Sequence, residues 1–161
     1  MKTLIFIRHG KSSWDYDVDD KDRPLKERGI TDAHLIGSEL STFNLTIDYA
    51  YSSPANRALH TAMIVMRNLE FNFEHFKVSN QLYDFSGQSV LNFCKNLHED
   101  LNTVLLFGHN YAFTSLVNNL GDKYIENLPT AGMAQLNFEV NSWSEITSGK
   151  TQKLRIPKTL R

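Results

Sequence analysis

At 161 residues and 41% hydrophobic content, the chain is long enough for one domain with a substantial core. A net charge of −1 supplies no global field toward nucleic acid or a membrane surface. One cysteine, Cys94, excludes a disulfide framework and a cysteine-rich zinc site, and fits a reducing, cytoplasmic setting.

The chain opens on a short apolar run, Leu4-Ile5-Phe6-Ile7, cut off by Arg8-His9-Gly10. Four apolar residues are too few for the roughly 7–15-residue core of a signal peptide. No stretch approaches the ~20 apolar residues of a membrane span, so the sequence reads as a soluble globular protein. Consecutive apolar residues predict a strand buried on both faces, because a half-buried strand alternates. Arg8, His9 and Gly10 then stand at its carboxyl end, where open α/β sheets hold ligands. An arginine there can fork onto an oxyanion, and a histidine can serve as nucleophile, base or acid.

Residues 11–30 are polar and aspartate-rich and read as a loop. Thr31 is the expected N-cap of a helix to about Thr42 with Ala33, Ile36, Gly37 and Leu40 on its inner face. Thr46–Tyr51 alternates like a second strand and ends at Ser52-Ser53-Pro54, where Ser53 suits a cap and Pro54 a first helical position. Ala55, Ala58, Leu59, Ala62, Met63 and Met66 then mark the clearest helix, with Arg57 in its first turn. A short strand is expected near Phe76–Val78, and a helix capped by Ser86 with Val90, Leu91, Cys94 and Leu97 inward. Thr103–Phe107 repeats the opening pattern: a wholly apolar run stopped by Gly108-His109-Asn110. A helix to about Leu120 follows, closed by Gly121 as a C′ residue. Met133–Val140 alternates as a strand, with Trp143–Ile146 its expected hairpin partner. The last twelve residues carry five basic side chains and suit a strand or a loose tail. No repeat or linker interrupts the order. The expectation is one α/β domain over residues 1–161: a three-layer sandwich with a mostly parallel central sheet and helices on both faces.

If the apolar strands are central and parallel, three polar strand ends meet on one sheet edge. These are Arg8-His9-Gly10, the Ser52-to-Arg57 turn, and Gly108-His109. Two arginines and two histidines around one pocket suit a dianion, with helix N-termini lining the same edge.

The segments LIFIRHGKSSW, YSSPANRALHTA and LLFGHN resemble, in order, the three signature motifs of the histidine phosphatase superfamily. RPLKERG at residues 23–29, and the lack of room for a sizeable lid insertion, resemble the SixA-type phosphohistidine phosphatases. The resemblance implies a phosphatase with a transient phosphohistidine. Its substrate would be phosphohistidine in a protein, or alternatively a small phosphate ester. By position, His9 would be the nucleophile, Arg8 and Arg57 the phosphate clamp, and His109 the second pocket histidine. Arg23 is a candidate third basic group on the phosphate. Adjacent arginines would lower the pKa of His9, favouring the neutral, attacking form. Two positions depart from the pattern. Asp15 stands where mutase-like relatives commonly carry an asparagine. The proton-donating glutamate of that branch has only Asp84 as a counterpart, in competition with Asp17, Asp19, Asp20 and Asp22 of the first loop.

No metal or other cofactor is expected. Asp15-x-Asp17-x-Asp19 opens like a calcium loop, but Asp20 replaces its glycine and Lys26 its bidentate glutamate. His34, His60, His75 and His98 show no ligand spacing and read as surface or helix-face residues.

Overall fold

The computed structural model describes residues 1–161. Its strands are β1 (Lys2–Arg8), β2 (Tyr49–Ser52), β3 (Phe76–Val78), β4 (Thr103–Gly108), β5 (Met133–Phe138) and β6 (Lys150–Arg155). They form one sheet in the order β3-β2-β4-β1-β5-β6. The first four are parallel to one another, and β5 and β6 add an antiparallel edge beside β1. Four helices cover it: α1 (Glu27–Ser41), α2 (Asn56–Asn68), α3 (Gln88–Lys95) and α4 (Ala112–Leu120).

Strand β1 shows why an unbroken apolar run belongs at the centre. Successive side chains leave a strand on opposite faces. Leu4 and Phe6 enter a 19-residue core cluster with α3 and α4, while Ile5 and Ile7 enter a 12-residue cluster with α1 and α2. Strand β4 divides likewise, Val104 and Leu106 to one side and Leu105 and Phe107 to the other. In the β1–β4 register Arg8 lies opposite Gly108, which brings the ends of both runs side by side.

Several boundaries differ from the sequence reading, each for a local reason. Helix α1 begins at Glu27, four residues before Thr31. Its Gly29 looks like a loop residue but packs against the backbone after β1: a Cβ on Gly10 would stand 2.6 Å from the Gly29 carbonyl oxygen. Strand β2 begins only at Tyr49, and Asp48 just before it accepts the Asn102 and Thr103 amides on its carboxylate. Helix α2 starts two residues after Pro54. Ser86 does not cap α3; Gly87 does, at φ +114°, a value that favours glycine. Gly121 ends α4 in an extended rather than left-handed conformation. Trp143–Glu145 is a 3₁₀ turn, its buried Trp143 indole donating to the Leu101 carbonyl at 2.8 Å. The hairpin partner of β5 is β6, within the basic C-terminal stretch.

Candidate active site

The carboxyl ends of β1, β2 and β4 converge on one cleft. His9 follows β1 directly, and its backbone is fixed from both sides: its amide donates to the Gly108 carbonyl, and its carbonyl accepts the Ala131 amide. Its ring Nδ1 lies 2.7 Å from the Gly10 carbonyl oxygen. A carbonyl can only accept, so Nδ1 carries the proton and Nε2 the lone pair. Burial pushes the imidazole pKa down to about 3, and Arg57, Arg8 and Arg23 push in the same direction, so the ring is neutral near pH 7. The sequence reading credited the arginines; burial is the larger cause.

Arg57 stands in the first turn of α2, nearly fully buried. Its Nε donates to His9 Nε2 at 3.3 Å, while its two terminal nitrogens donate to the Asp20 carbonyl oxygen at 2.6 Å and Asp20 Oδ2 at 2.9 Å. Thr61, one turn on, ties helix to strand end: it donates to the Arg57 carbonyl and accepts the Gly10 amide. Arg8 donates through Nη1 to the Leu128 carbonyl at 2.9 Å, and its buried Nε has no partner. Arg23 donates to Ser12 Oγ at 2.8 Å, to the Ser13 carbonyl and to Asp20 Oδ1, with its guanidinium 3.5 Å from the centre of the Trp14 ring. Arg8, His9, Arg23 and Arg57 all face a cavity of about 340 Å³, walled also by Trp14, Asp20, Phe85 and Asn110.

His109 lies behind this wall, fully buried, its ring centre 5.3 Å from that of His9 and 4.8 Å from that of Phe85. Burial again lowers its pKa to about 3, with His9 and Arg57 adding to the effect. Its Nε2 is 2.7 Å from Ser53 Oγ, and its Nδ1 is buried without a partner. The cluster thus presents guanidinium donors and two neutral imidazoles. It suits a tetrahedral oxyanion held against the His9 lone pair.

The carboxylates divide differently from the sequence reading. Asp84 is not on the cavity wall. Its Oδ1 accepts the Ser86 amide and hydroxyl, and its Oδ2 accepts the Gly87 and Val90 amides, so it caps α3. Burial favours its protonated form, but those donors outweigh it and hold its pKa below the ordinary value. Asp20 is the loop acid that reaches the cavity. Burial is again outweighed, here by hydrogen bonds from Tyr83 (2.5 Å), Arg57 and Arg23, and the group stays ionised. Site residues that escaped the sequence reading include Ser53, Tyr83, Phe85, Asn110 and the cavity-lining Trp14. Ser53 was legible only as a helix cap, because a serine before proline at a strand end gives that signal more strongly than any other.

The model of the histidine phosphatase superfamily (branch 1) matches residues 4–85. An uncharacterized chloroplastic protein of Arabidopsis thaliana is 29% identical over 153 residues, spanning 89% of this chain and 70% of that one. Among solved structures, the protein histidine phosphatase SixA complexed with tungstate superposes with a TM-score of 0.84 at 22% identity, covering 99% of both chains. Phosphoserine phosphatase from Entamoeba histolytica, in complex with 3-phosphoglyceric acid, superposes at 0.68 with 16% identity over the full length of both. At these identities the structural likeness is one of fold.

Proposed function

Because this chain belongs to the histidine phosphatase superfamily (branch 1), we propose that it transfers phosphoryl groups to His9 Nε2 and then to water, with phosphohistidine in a protein as its substrate. The single observation that carries the choice of substrate is the commitment of the nearby carboxylates. Asp84 is spent on the α3 cap, and Asp20 is held ionised by three donors. Neither is a protonated acid ready to serve a leaving group. An alkoxide needs such help, which is typically worth 10²–10⁴-fold. The imidazole of phosphohistidine is a far better leaving group and can take its proton from solvent.

In the first step the His9 lone pair forms the bond to phosphorus as the substrate's P–N bond breaks, and the departing imidazole is protonated. In the second, water attacks phosphorus, the His9–phosphorus bond breaks, and inorganic phosphate leaves with the ring neutral again. Phosphoryl transfer passes through a loose transition state in most analyses, so positioning and charge stabilisation do most of the work. Arg8, Arg23 and Arg57 clamp the equatorial oxygens, and His109 donates from behind. The Arg57 Nε donor now resting on His9 Nε2 moves to an oxygen when the phosphoryl group arrives. Charge neutralisation by three arginines leaves no step that calls for a metal ion, and no lid over the cleft is needed to exclude water from a hydrolytic reaction.

The alternative substrate, a small phosphate ester, shares this chemistry and separates from it by rates. The test compares turnover of a phosphohistidine peptide with that of alkyl and aryl phosphates, after chelation of divalent ions. We expect the peptide and the aryl phosphate to be hydrolysed, the alkyl ester far more slowly, and chelation to change nothing. Rapid mixing with labelled substrate should trap phosphate on histidine, and His9→Ala should abolish both trapping and turnover without unfolding the protein. Label on Ser52, Ser53 or Cys94 overturns the mechanism. Faster turnover of the alkyl ester overturns the choice of substrate.

A further inference from the structure

The first loop carries six residues that alternate large apolar and acidic side chains: Trp14, Asp15, Tyr16, Asp17, Val18 and Asp19. Alternation of this kind ordinarily sets one face of a strand against a core. Here it does not: the segment is neither strand nor helix, and all six residues are exposed. Trp14 is 76% exposed, Tyr16 62% and Val18 46%. Asp15, Asp17 and Asp19 take part in no salt bridge. The segment lies on the lip of the catalytic cleft, since Trp14 stacks on Arg23 and lines the cavity, and Asp20 bridges Arg23 and Arg57. Half-exposed Phe85 and Tyr111 continue the apolar rim on the side of His109.

Several exposed large apolar side chains close in sequence beside a site mark an interaction surface, because folding alone gains nothing by leaving them in water. The unpaired carboxylates specify what it meets. A free phosphate ester, itself a dianion, is repelled by the negative charges on this side of the cleft. A macromolecule presenting cations next to its phosphoryl group is instead attracted by those charges while its phosphate meets the arginines. The alternating aromatics then have apolar side chains to cover. We infer that residues 14–19 form a docking lip for a protein surface bearing lysine or arginine, together with apolar side chains, beside its phosphorylated histidine. This rests on the reading of the site as a phosphohistidine phosphatase and gives that substrate a local composition.

The test uses the full chain and two phosphohistidine peptides, one flanked by lysine and leucine, the other by glutamate and leucine, with p-nitrophenyl phosphate as a reference that has no flanking side chains for the lip to hold. Wild type should prefer the basic peptide in kcat/KM by roughly tenfold at low ionic strength, with the preference shrinking as salt screens exposed charges. Asp15→Asn, Asp17→Asn and Asp19→Asn combined should erase the preference. Tyr16→Ser with Val18→Ser should raise KM for both peptides alike. Tyr16→Ser with Val18→Ser should hydrolyse p-nitrophenyl phosphate within about twofold of wild type, and the triple aspartate variant at least as fast as wild type, having lost charges that oppose a free dianion. Equal turnover of the two peptides by wild type overturns the docking lip, as does a preference that survives the triple substitution. A matching loss on p-nitrophenyl phosphate also overturns it, since the loop would then serve the site's shape. Association of the chain with itself, abolished by the same substitutions in sedimentation, overturns it by making a second copy the occupant. Failure to hydrolyse either peptide while p-nitrophenyl phosphate is turned over rejects the phosphohistidine reading itself, a result distinct from all of these.

Discussion

Ser53 is a small residue whose hydrogen-bond arithmetic decides how His109 meets a ligand. Its Oγ already accepts the Ala55 amide at 3.1 Å and lies 2.7 Å from His109 Nε2. If the hydroxyl donates to Nε2, the proton of the neutral ring sits on Nδ1, and one buried group, that N–H, is left without a partner. If the ring donates instead, two are left: the hydroxyl hydrogen and the Nδ1 lone pair. Unpaired buried polar groups cost about 1–3 kcal/mol each, so the first arrangement prevails. The orphan Nδ1–H is then the donor that the proposed mechanism assigns to a phosphoryl oxygen, and Ser53 fixes the tautomer that supplies it. Ser53→Ala should free the ring to exchange tautomers, visible in the ¹⁵N chemical shifts of His109. It should also weaken vanadate binding by roughly fivefold, the worth of one neutral hydrogen bond. An unchanged tautomer in the variant would show that Ser53 only fills space.

At the scale of elements, Asp84 shows how a carboxylate between the Arg57 and His109 segments is taken up by the start of a helix. It accepts amides from Ser86, Gly87 and Val90 and so closes the first turn of α3, an eight-residue helix that Gly87 enters from a left-handed conformation. Isolated helices this short are marginal, so the cap matters more here than on α1. Asp84→Ala should lower stability by about 1–2 kcal/mol, the usual cost of losing a helix cap. It should leave kcat for an alkyl phosphate, the substrate that depends most on a proton donor, within a few-fold of wild type. A hundredfold fall in kcat at unchanged melting temperature would return Asp84 to the chemistry. The same contrast explains what was legible in the sequence. Strands β1 and β4 were readable because unbroken apolar runs have one stable place, between two helical layers. Arg8, His9 and His109 were readable as neighbours because they sit at the ends of strands that such runs identify, and Arg57 because its helix follows directly on an alternating strand. The start of α1 was not, because it depends on a partner far away in sequence, the Gly10 backbone against which Gly29 fits. The role of Asp20 was likewise hidden, since nothing local distinguishes it from Asp17, Asp19 or Asp22 until Arg57 and Tyr83 arrive from other elements.

For the whole molecule, gathering cations and neutral imidazoles at one buried edge has a cost that appears on acidification. His9 and His109 are held neutral with pKa values of about 3, whereas the same histidines in the unfolded chain protonate near 6.5. Between those values the unfolded chain binds more protons than the folded one, so folding stability falls as pH drops from about 6.5 toward 3. Asp20 and Asp84 act in the same direction at lower pH. Their folded pKa values lie below the ordinary carboxylate value, so the stability they contribute is lost once pH falls through about 4 and the unfolded chain takes up their protons first. The losses therefore begin at the histidines, about 2.5 pH units before the carboxylates join. Urea midpoints measured from pH 7.5 to 4 should decline steadily below about 6.5, and His109→Gln should flatten the decline between 6.5 and 4.5. The chemistry should respond differently over the same range, because His9 keeps its lone pair until far lower pH. With the substrate's own ionisation corrected for, kcat at pH 5 should stay close to its neutral value in protein that remains folded. A midpoint that holds constant from pH 7.5 to 5, or an activity that titrates away near 6.5, would show that these histidines ionise as they do in water and that the edge is less closed than its packing implies.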